Sequence, residues 1–310
     1  MEWNRAVIFL QKESQLEFFV WDIDPEIFKL GTFGPRYYGL FFAAGFIFGL
    51  NIMQWQFRKE GKNVEDLSSL ITHVMIGTIV GARLGHCLFY QPDYYLGHPL
   101  KILALWEGGL ASHGGAIGVI IASWIYTRKH PDQTLLWLTD RMAVPLALAA
   151  TLIRVGNFFN SEIIGRPTDV PWAVIFSRVD QVPRHPAMLY EAMSYLTLFA
   201  ILVFVYKKYY QTFIPGQLIG TMFAWIFGSR IMIEIFKENQ VAFENGMILN
   251  MGQILSIPFV CLGLGLVFGY YQKLLPKALY MAPQVIPPTG TAQETKQKGK
   301  AKKKKKKLRK

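Results

Sequence analysis

Apolar stretches of about 20 residues recur along this chain, the length a helix needs to cross a bilayer. They fall near 37–57, 67–90, 109–127, 134–155, 187–206, 215–236 and 251–271. The first and last contain no charged residue and are the clearest. Only 17% of the chain is charged, against about 25% in ordinary soluble domains. The pattern predicts an all-α membrane protein with about seven transmembrane helices.

Net charge has to be located before it informs. Residues 291–310 hold eleven Lys or Arg against the single acid Glu294, so the tail supplies +10 of the net +12. From Pro283 onward the composition predicts a disordered polylysine tail, 283–310, with no packed core. The run Lys302–Lys307 can attract anionic lipid or RNA, but only non-specifically, so no specific nucleic-acid partner is expected. Cys87 and Cys261 fall within apolar spans without disulfide or metal-type spacing and read as core residues. No metal site or cofactor is expected.

The connecting segments alternate in charge. Arg58, Lys59 and Lys62 follow the first span, Arg128 and Lys129 the third, Lys207 and Lys208 the fifth, and the tail follows the seventh. These exits share one side, which the positive-inside rule makes cytoplasmic. The N-terminus is then outside and the C-terminus inside. Residues 1–36 become a periplasmic segment and 37–272 the membrane domain. The Pro-rich stretch 156–186, with strand-like Trp172–Phe176, reads as a small periplasmic cap, with Phe18–Val20 of the N-terminal segment a candidate to join it.

Charged residues inside apolar spans are costly, about 2.5–3.5 kcal/mol each at the membrane centre. Arg83 and His86 come late in the second span, His113 early in the third, and Arg154 and Asn157 at the end of the fourth. Glu191 opens the fifth, Arg230 and Glu234 close the sixth, and Tyr38 opens the first. With the topology above, all arrive at the outer half of the bilayer. Permanent cations gathered there point to a chamber for an anion. Each also has a plainer role: an arginine snorkelling to headgroups, Arg83 and His86 bonding between helices, Tyr38 in an interfacial aromatic belt. His73, Asp140 and Arg141 lie toward the cytoplasmic half and read as structural.

Two local patterns resist the plainer reading. Gly108-Gly109-Leu-Ala-Ser112-His113-Gly114-Gly115 opens a membrane helix with four glycines around a histidine, and exposed amides at a helix start attract phosphate. Arg154-Val-Gly156-Asn157-Phe-Phe-Asn160-Ser-Glu162-Ile-Ile-Gly165-Arg166 places two arginines, two carboxamides and a carboxylate at a helix exit within 13 residues.

The second pattern resembles the Arg-x-Gly-Asn-Phe-x-Asn-x-Glu-x-x-Gly motif of the prolipoprotein diacylglyceryl transferase family, with every fixed position present. Over most of residues 30–271 the resemblance continues. Tyr37-Tyr38-Gly39-Leu40, Gly81-Ala-Arg83-Leu-Gly85, Ser112-His113-Gly114-Gly115, His185-Pro186-Ala-Met-Leu189-Tyr190-Glu191 and Arg230-Ile-Met-Ile-Glu234 are similar to family motifs in the same order. One departure stands out: the family usually has an aromatic hydroxyl one turn before the sixth-helix arginine, where this chain has Ile226.

The resemblance implies transfer of a diacylglyceryl group from phosphatidylglycerol to the lipobox cysteine of prolipoprotein signal peptides, in the bacterial inner membrane. It implies catalytic roles for Arg154, Arg230 and His113. Tyr38, Arg83, Asn157, Asn160, Glu162, Gly165 and Glu234 would bind substrate. Thiolate attack on a glyceryl carbon builds charge on the departing phosphate, which fixed cations can stabilise. His113, with an ordinary pKa near 6.5 against about 8.5 for a thiol, suits the base. An arginine lowering the thiol pKa would serve as well. A transporter or flippase of an anionic lipid is the rival, and it predicts polar groups through the whole depth of the membrane. A scaffold acting through its tail predicts loss of function on deleting 291–310.

Overall fold

The computed structural model describes residues 18–29, 34–105, 108–238 and 247–274. The polylysine tail and most of the N-terminal segment lie outside these. Helices occupy all seven expected stretches: α1 (Tyr37–Lys59), α2 (Asp66–Phe89), the short α3 (Pro92–Gly97), α4 (Ser112–Lys129), α5 (Leu135–Asn160), α6 (Ala187–Tyr209), α7 (Gln217–Ile233) and α8 (Met251–Val267). In hydrocarbon a helix is favoured because it satisfies its own backbone groups. Five helices (α1, α2, α5, α6, and α7 with its 3-10 extension to Phe236) are long and apolar enough to cross a membrane, and α8 is a shorter apolar helix. The chain is an all-α, multi-span membrane protein.

Helix α5 runs on to Asn160 instead of ending near 155, and two other boundaries shift at left-handed glycines. Helix α4 starts at Ser112 instead of near 109, because Gly108 and Gly109 adopt left-handed φ of 80° and 72°. Helix α8 stops at Val267 instead of near 271, and Gly269 just beyond has φ 70°. Left-handed backbone is where glycine ends or delays a helix.

Helix α2 packs along α4, α1 along α5, α5 along α6, and α7 along α8. The α2–α4 contact is backbone to backbone: a Cβ on Gly81, Gly85, Gly114 or Gly118 would strike the facing helix. Small residues permitting such approach are the usual basis of association in lipid, where hydrophobicity gives no drive. One apolar core joins α5, α6, α7 and α8 through Ala143, Ala147, Leu198, Leu202, Leu218 and Met222. A second joins α1, α2, α4 and α5 through Phe57, Leu70, Tyr126 and Leu138. Cys87 is buried, whereas Cys261 is exposed on α8. A membrane-facing surface is as apolar as a core, so hydropathy could not separate the two cases.

At one end sits a small cap. Strand β1 (Phe19–Trp21) pairs parallel with β2 (Val174–Phe176), which pairs antiparallel with β3 (Pro183–Arg184). Trp21, Phe158, Val174, Phe176 and Met188 form its own core, so the cap is anchored to the end of α5 and the start of α6. Phe19–Trp21 of the N-terminal segment thus join the cap. Lysine-rich helix exits lie at the opposite end.

Candidate active site

The site begins where α5 leaves its helical path. Ser161 and Ile163 take left-handed φ of 56° and 59°, and they are the only non-glycine residues with positive φ among those described. A β-branched residue there is strained, of order 1–3 kcal/mol. What holds the turn is a carboxylate clamp. Asn157 Nδ2 donates to Glu162 Oε2 at 3.0 Å and Asn160 Nδ2 to Glu162 Oε1 at 3.2 Å. The Glu162 amide returns to the Asn157 carbonyl at 3.0 Å. One turn earlier, Gly156 lets Tyr38 lie flat on α5, since a Cβ there would come within 2.9 Å of the tyrosine ring.

Arg154 leaves this helix end for α6. Its Nε lies 2.9 Å from Glu191 Oε2, and its Nη1 reaches Asn157 Oδ1 at 3.4 Å. Glu191 is fully buried. Its other oxygen accepts from Lys237 Nζ at 2.9 Å, and the same ammonium donates to Glu234 Oε2 at 3.2 Å. Glu234 in turn faces Arg230 Nε at 3.6 Å, beyond hydrogen-bonding range. A chain of alternating charge therefore runs Arg154, Glu191, Lys237, Glu234, Arg230. Gly252 at the start of α8 makes room for the Glu234 carboxylate, which a Cβ would meet at 2.7–3.0 Å.

Three segments cross at Gly165. Its amide donates to the His185 carbonyl at 2.9 Å, the Arg166 amide to the Phe236 carbonyl at 2.8 Å, and Arg166 Nε to the Lys237 carbonyl at 2.8 Å. A Cβ on Gly165 would come within 2.6 Å of both the His185 and Phe236 carbonyl oxygens. Glycine is required here by close approach. Beside the crossing, Arg184 binds Asp180 through Nε and Nη2, at 2.6 Å for the latter. That hydrogen bond holds the Asp180 carboxyl below its ordinary range. His185 Nδ1 sits 3.0 Å from the Tyr190 hydroxyl, which also accepts from Trp172 Nε1 at 2.9 Å. Burial lowers the His185 pKa from its ordinary value.

Of the residues singled out from sequence, Tyr38, Arg154, Asn157, Asn160, Glu162, Gly165, Arg230 and Glu234 meet at this end. Arg83 stands apart from them. It is buried on α2 and donates to four backbone carbonyls: Ile102 at 2.9 Å, Lys101 at 2.6 Å, Gly108, and Gly109 at 3.3 Å. Its guanidinium stitches the α2–α4 connection over the Tyr95 ring. His113, exposed at the start of α4, makes ring contacts with Phe89 and Tyr90 at 5.5 and 5.8 Å. It shares no hydrogen bond or ion pair with the Arg154–Glu191 chain among the described residues.

Two participants went unnoticed in the sequence. Lys237 looks like an ordinary loop lysine, and only its spacing three residues after Glu234 hinted at a partner. Tyr195, buried on α6, has its hydroxyl beside Arg154. Ile226 packs into the core, so a hydroxyl reaches this region from the neighbouring helix.

Fold and site together define a multi-span helical membrane protein with a network of three cations and two carboxylates at its capped end. The prolipoprotein diacylglyceryl transferase family model matches residues 25–269. A Tolumonas auensis protein named phosphatidylglycerol--prolipoprotein diacylglyceryl transferase is 49% identical over 246 residues, covering 79% of this chain and 94% of its own. Proteins of the same name from Chloroherpeton thalassium and Bacteroides fragilis are 48% and 44% identical, covering 80% and 82% of this chain and 92% and 95% of theirs. The chain belongs to the prolipoprotein diacylglyceryl transferase family.

Proposed function

We propose that this protein transfers the diacylglyceryl group of phosphatidylglycerol to the lipobox cysteine of prolipoprotein signal peptides, the first step of lipoprotein maturation. The reaction takes place at the outer leaflet of a bacterial inner membrane, with the cap periplasmic and the polylysine tail cytoplasmic. The observation carrying this reading is the charge chain from Arg154 to Arg230. It joins cations from two helix ends beside an exposed wall, in a chain whose relatives bear that enzyme's name.

In the reaction the cysteine sulfur bonds to the terminal glyceryl carbon as the bond from that carbon to the phosphate oxygen breaks. Glycerol phosphate leaves with the electron pair, and the thiol proton passes to a base. Arg154 and Arg230 hold the phosphate and stabilise the charge that grows on it, a term that can exceed 10²-fold per donor. Glu191 and Glu234 aim the two guanidiniums. Tyr38 hydrogen-bonds the same headgroup. Asn157, Asn160 and Glu162 keep the strained helix exit in shape, which fixes where Arg154 points. Gly165 keeps the cap seated on α7. His113, exposed at the start of α4, is the base. Arg83, enclosed by carbonyls, holds the segment that leads into α4 and so supports the position of His113.

The rival transporter reading needs a polar path to the other face. Between the two ends the α5–α8 core packs Ala143, Ala147, Leu198, Leu202 and Met222 against one another, with no charged side chain in that cluster. The test is purified protein in vesicles with headgroup-unlabelled, acyl-labelled phosphatidylglycerol and a lipobox peptide. Label is expected on the cysteine and not on a Cys→Ser peptide. Label that crosses the bilayer without attaching would favour transport.

A further inference from the structure

Both arginines that face the lipid in the proposed reaction already have a carboxylate each. Arg154 meets Glu191 at 2.9 Å and Arg230 meets Glu234 at 3.6 Å. Two such pairs alone would be neutral, and a neutral pair of ion pairs attracts a phosphodiester weakly. Lys237 changes this count. Its ammonium is 4% exposed and lies between the two buried carboxylates, 2.9 Å from Glu191 and 3.2 Å from Glu234. The five-charge chain then carries a net +1, equal and opposite to one phosphodiester.

The position of Lys237 is imposed from two sides. Its amide donates to the Glu234 carbonyl at 3.1 Å, closing the 3-10 turn after α7. Its carbonyl accepts from Arg166 Nε at 2.8 Å, within the Gly165 crossing. The ammonium is thus fixed by backbone at both ends of the residue, and the long stem carries it under the two carboxylates. Nothing in the described site requires a cation there for packing. Glu191 and Glu234 could each be satisfied by their own arginine.

We infer that Lys237 is a positioning and charge-setting residue: by drawing Glu191 and Glu234 toward itself, it leaves Arg154 and Arg230 under-neutralised for an anionic phospholipid headgroup. The atoms agree with this division. Glu191 Oε2 and Arg230 Nε are buried yet lack an aligned hydrogen-bond partner; Arg154 keeps its 2.9 Å ion pair with Glu191 and reaches Asn157, so Arg230 is the slack arginine of the two. Both carboxylates have their aligned hydrogen bonds with Lys237 instead. A ligand phosphate can therefore take Arg230 without first breaking a good hydrogen bond. This inference rests on the proposed transfer reaction and concerns how the site selects an anionic lipid.

The test compares wild type with Lys237→Met, Lys237→Arg and the double variant Lys237→Met/Glu234→Gln, each purified in detergent and checked for its unfolding temperature. Transfer to a lipobox peptide is followed while phosphatidylglycerol and peptide are varied in turn. Lys237→Met is expected to raise KM for phosphatidylglycerol by at least about tenfold, as removal of a nearby unit charge at an effective dielectric near 20 implies. KM for the peptide should stay within about twofold, a change too small to reflect lost binding energy. Lys237→Arg should remain near wild type. The double variant restores the net +1 and should recover most of the lost lipid affinity as KM, whereas its kcat stays low because Glu234 no longer aims Arg230. An unchanged lipid KM in Lys237→Met overturns the inference, and so does a double variant no better than the single one. Should Lys237→Met fail to fold, a folded double variant that binds phosphatidylglycerol with near wild-type affinity supports the inference, and an unfolded one or one with weakened lipid binding counts against it. Absence of transfer by wild type would instead defeat the proposed function.

Discussion

The two ends of the helix bundle each carry a buried arginine network, and they treat their arginines in opposite ways. At the lysine-rich end, Arg141 is 4% exposed and makes bidentate contact with Glu60 at 2.9 and 2.7 Å. Glu60 also accepts from Trp137 Nε1 at 2.9 Å and the Tyr206 hydroxyl at 2.6 Å. Beside it the buried Asp140 caps the start of α7, accepting from the amides of Gly216, Leu218 and Ile219 at 2.6, 3.0 and 3.0 Å. Both the Arg141 guanidinium and the Glu60 carboxylate there have aligned partners, although the neighbouring Gln56 amide does not. At the capped end, Arg230 is 38% exposed and its carboxylate is 3.6 Å away. A saturated arginine locks helices together, whereas an under-coordinated one waits for a ligand. Burial and charge alone do not separate the two; coordination does.

That contrast can be broken by mutation. Arg141→Met should cost about 3–5 kcal/mol of stability, because it strands Glu60 as a buried charge. Thermal unfolding in detergent reads the loss, and the fraction that remains folded should turn over normally. A variant that keeps its stability but loses activity would make the lysine-rich end part of the site. Arg154→Lys should do the reverse. The charge stays and unfolding moves little, but transfer falls by about 10²-fold, because a point charge cannot reproduce a planar two-donor contact with phosphate. Full activity in that variant removes the bidentate role.

Smaller effects sharpen the picture. Gly165→Ala forces a methyl to within 2.6 Å of two carbonyl oxygens, so about 1–3 kcal/mol of overpacking strain is expected. Limited proteolysis should then detach the cap before the helices unfold. His185 supplies a pH test. Burial depresses its pKa, so the folded state favours the neutral ring. Cap stability should be complete above the ordinary histidine pKa of about 6.5 and decline as pH falls from there through the depressed value. His185→Gln should flatten that decline. Deleting residues 291–310 is expected to leave transfer unchanged. Loss of transfer there would revive a role for the tail in recruitment.

Much of the fold was legible because hydrocarbon imposes a simple rule on long apolar runs. The seven stretches all hold helices, but α5 runs on to Asn160 instead of ending near 155, because its polar exit residues do not interrupt helical backbone, and α4 and α8 are shortened where Gly108, Gly109 and Gly269 turn left-handed, a backbone choice that hydropathy does not encode. Arg154, Glu191, Arg230 and Glu234 could be placed together because topology brings three helix ends to one side. Arg83 shared the same depth, yet what surrounds it is the carbonyl cage of a loop, and carbonyls are the same in every sequence. Lys237 was invisible for the opposite reason. An isolated lysine after a helix reads as solvated surface until the fold buries it between two carboxylates. The Asn157–Glu162–Asn160 clamp was visible as a cluster, but its work of holding a strained exit appears only with the φ angles of Ser161 and Ile163.

The central claim is that the arginines of the capped end hold a phospholipid phosphate. The most direct measurement is a structure of the protein in lipid with a non-cleavable ether analogue of phosphatidylglycerol. The phosphate should lie within hydrogen-bond distance, about 3 Å, of both Arg154 and Arg230, with Glu191 and Glu234 still on Lys237. A phosphate bound elsewhere, with the two arginines closed onto their carboxylates, would contradict the account.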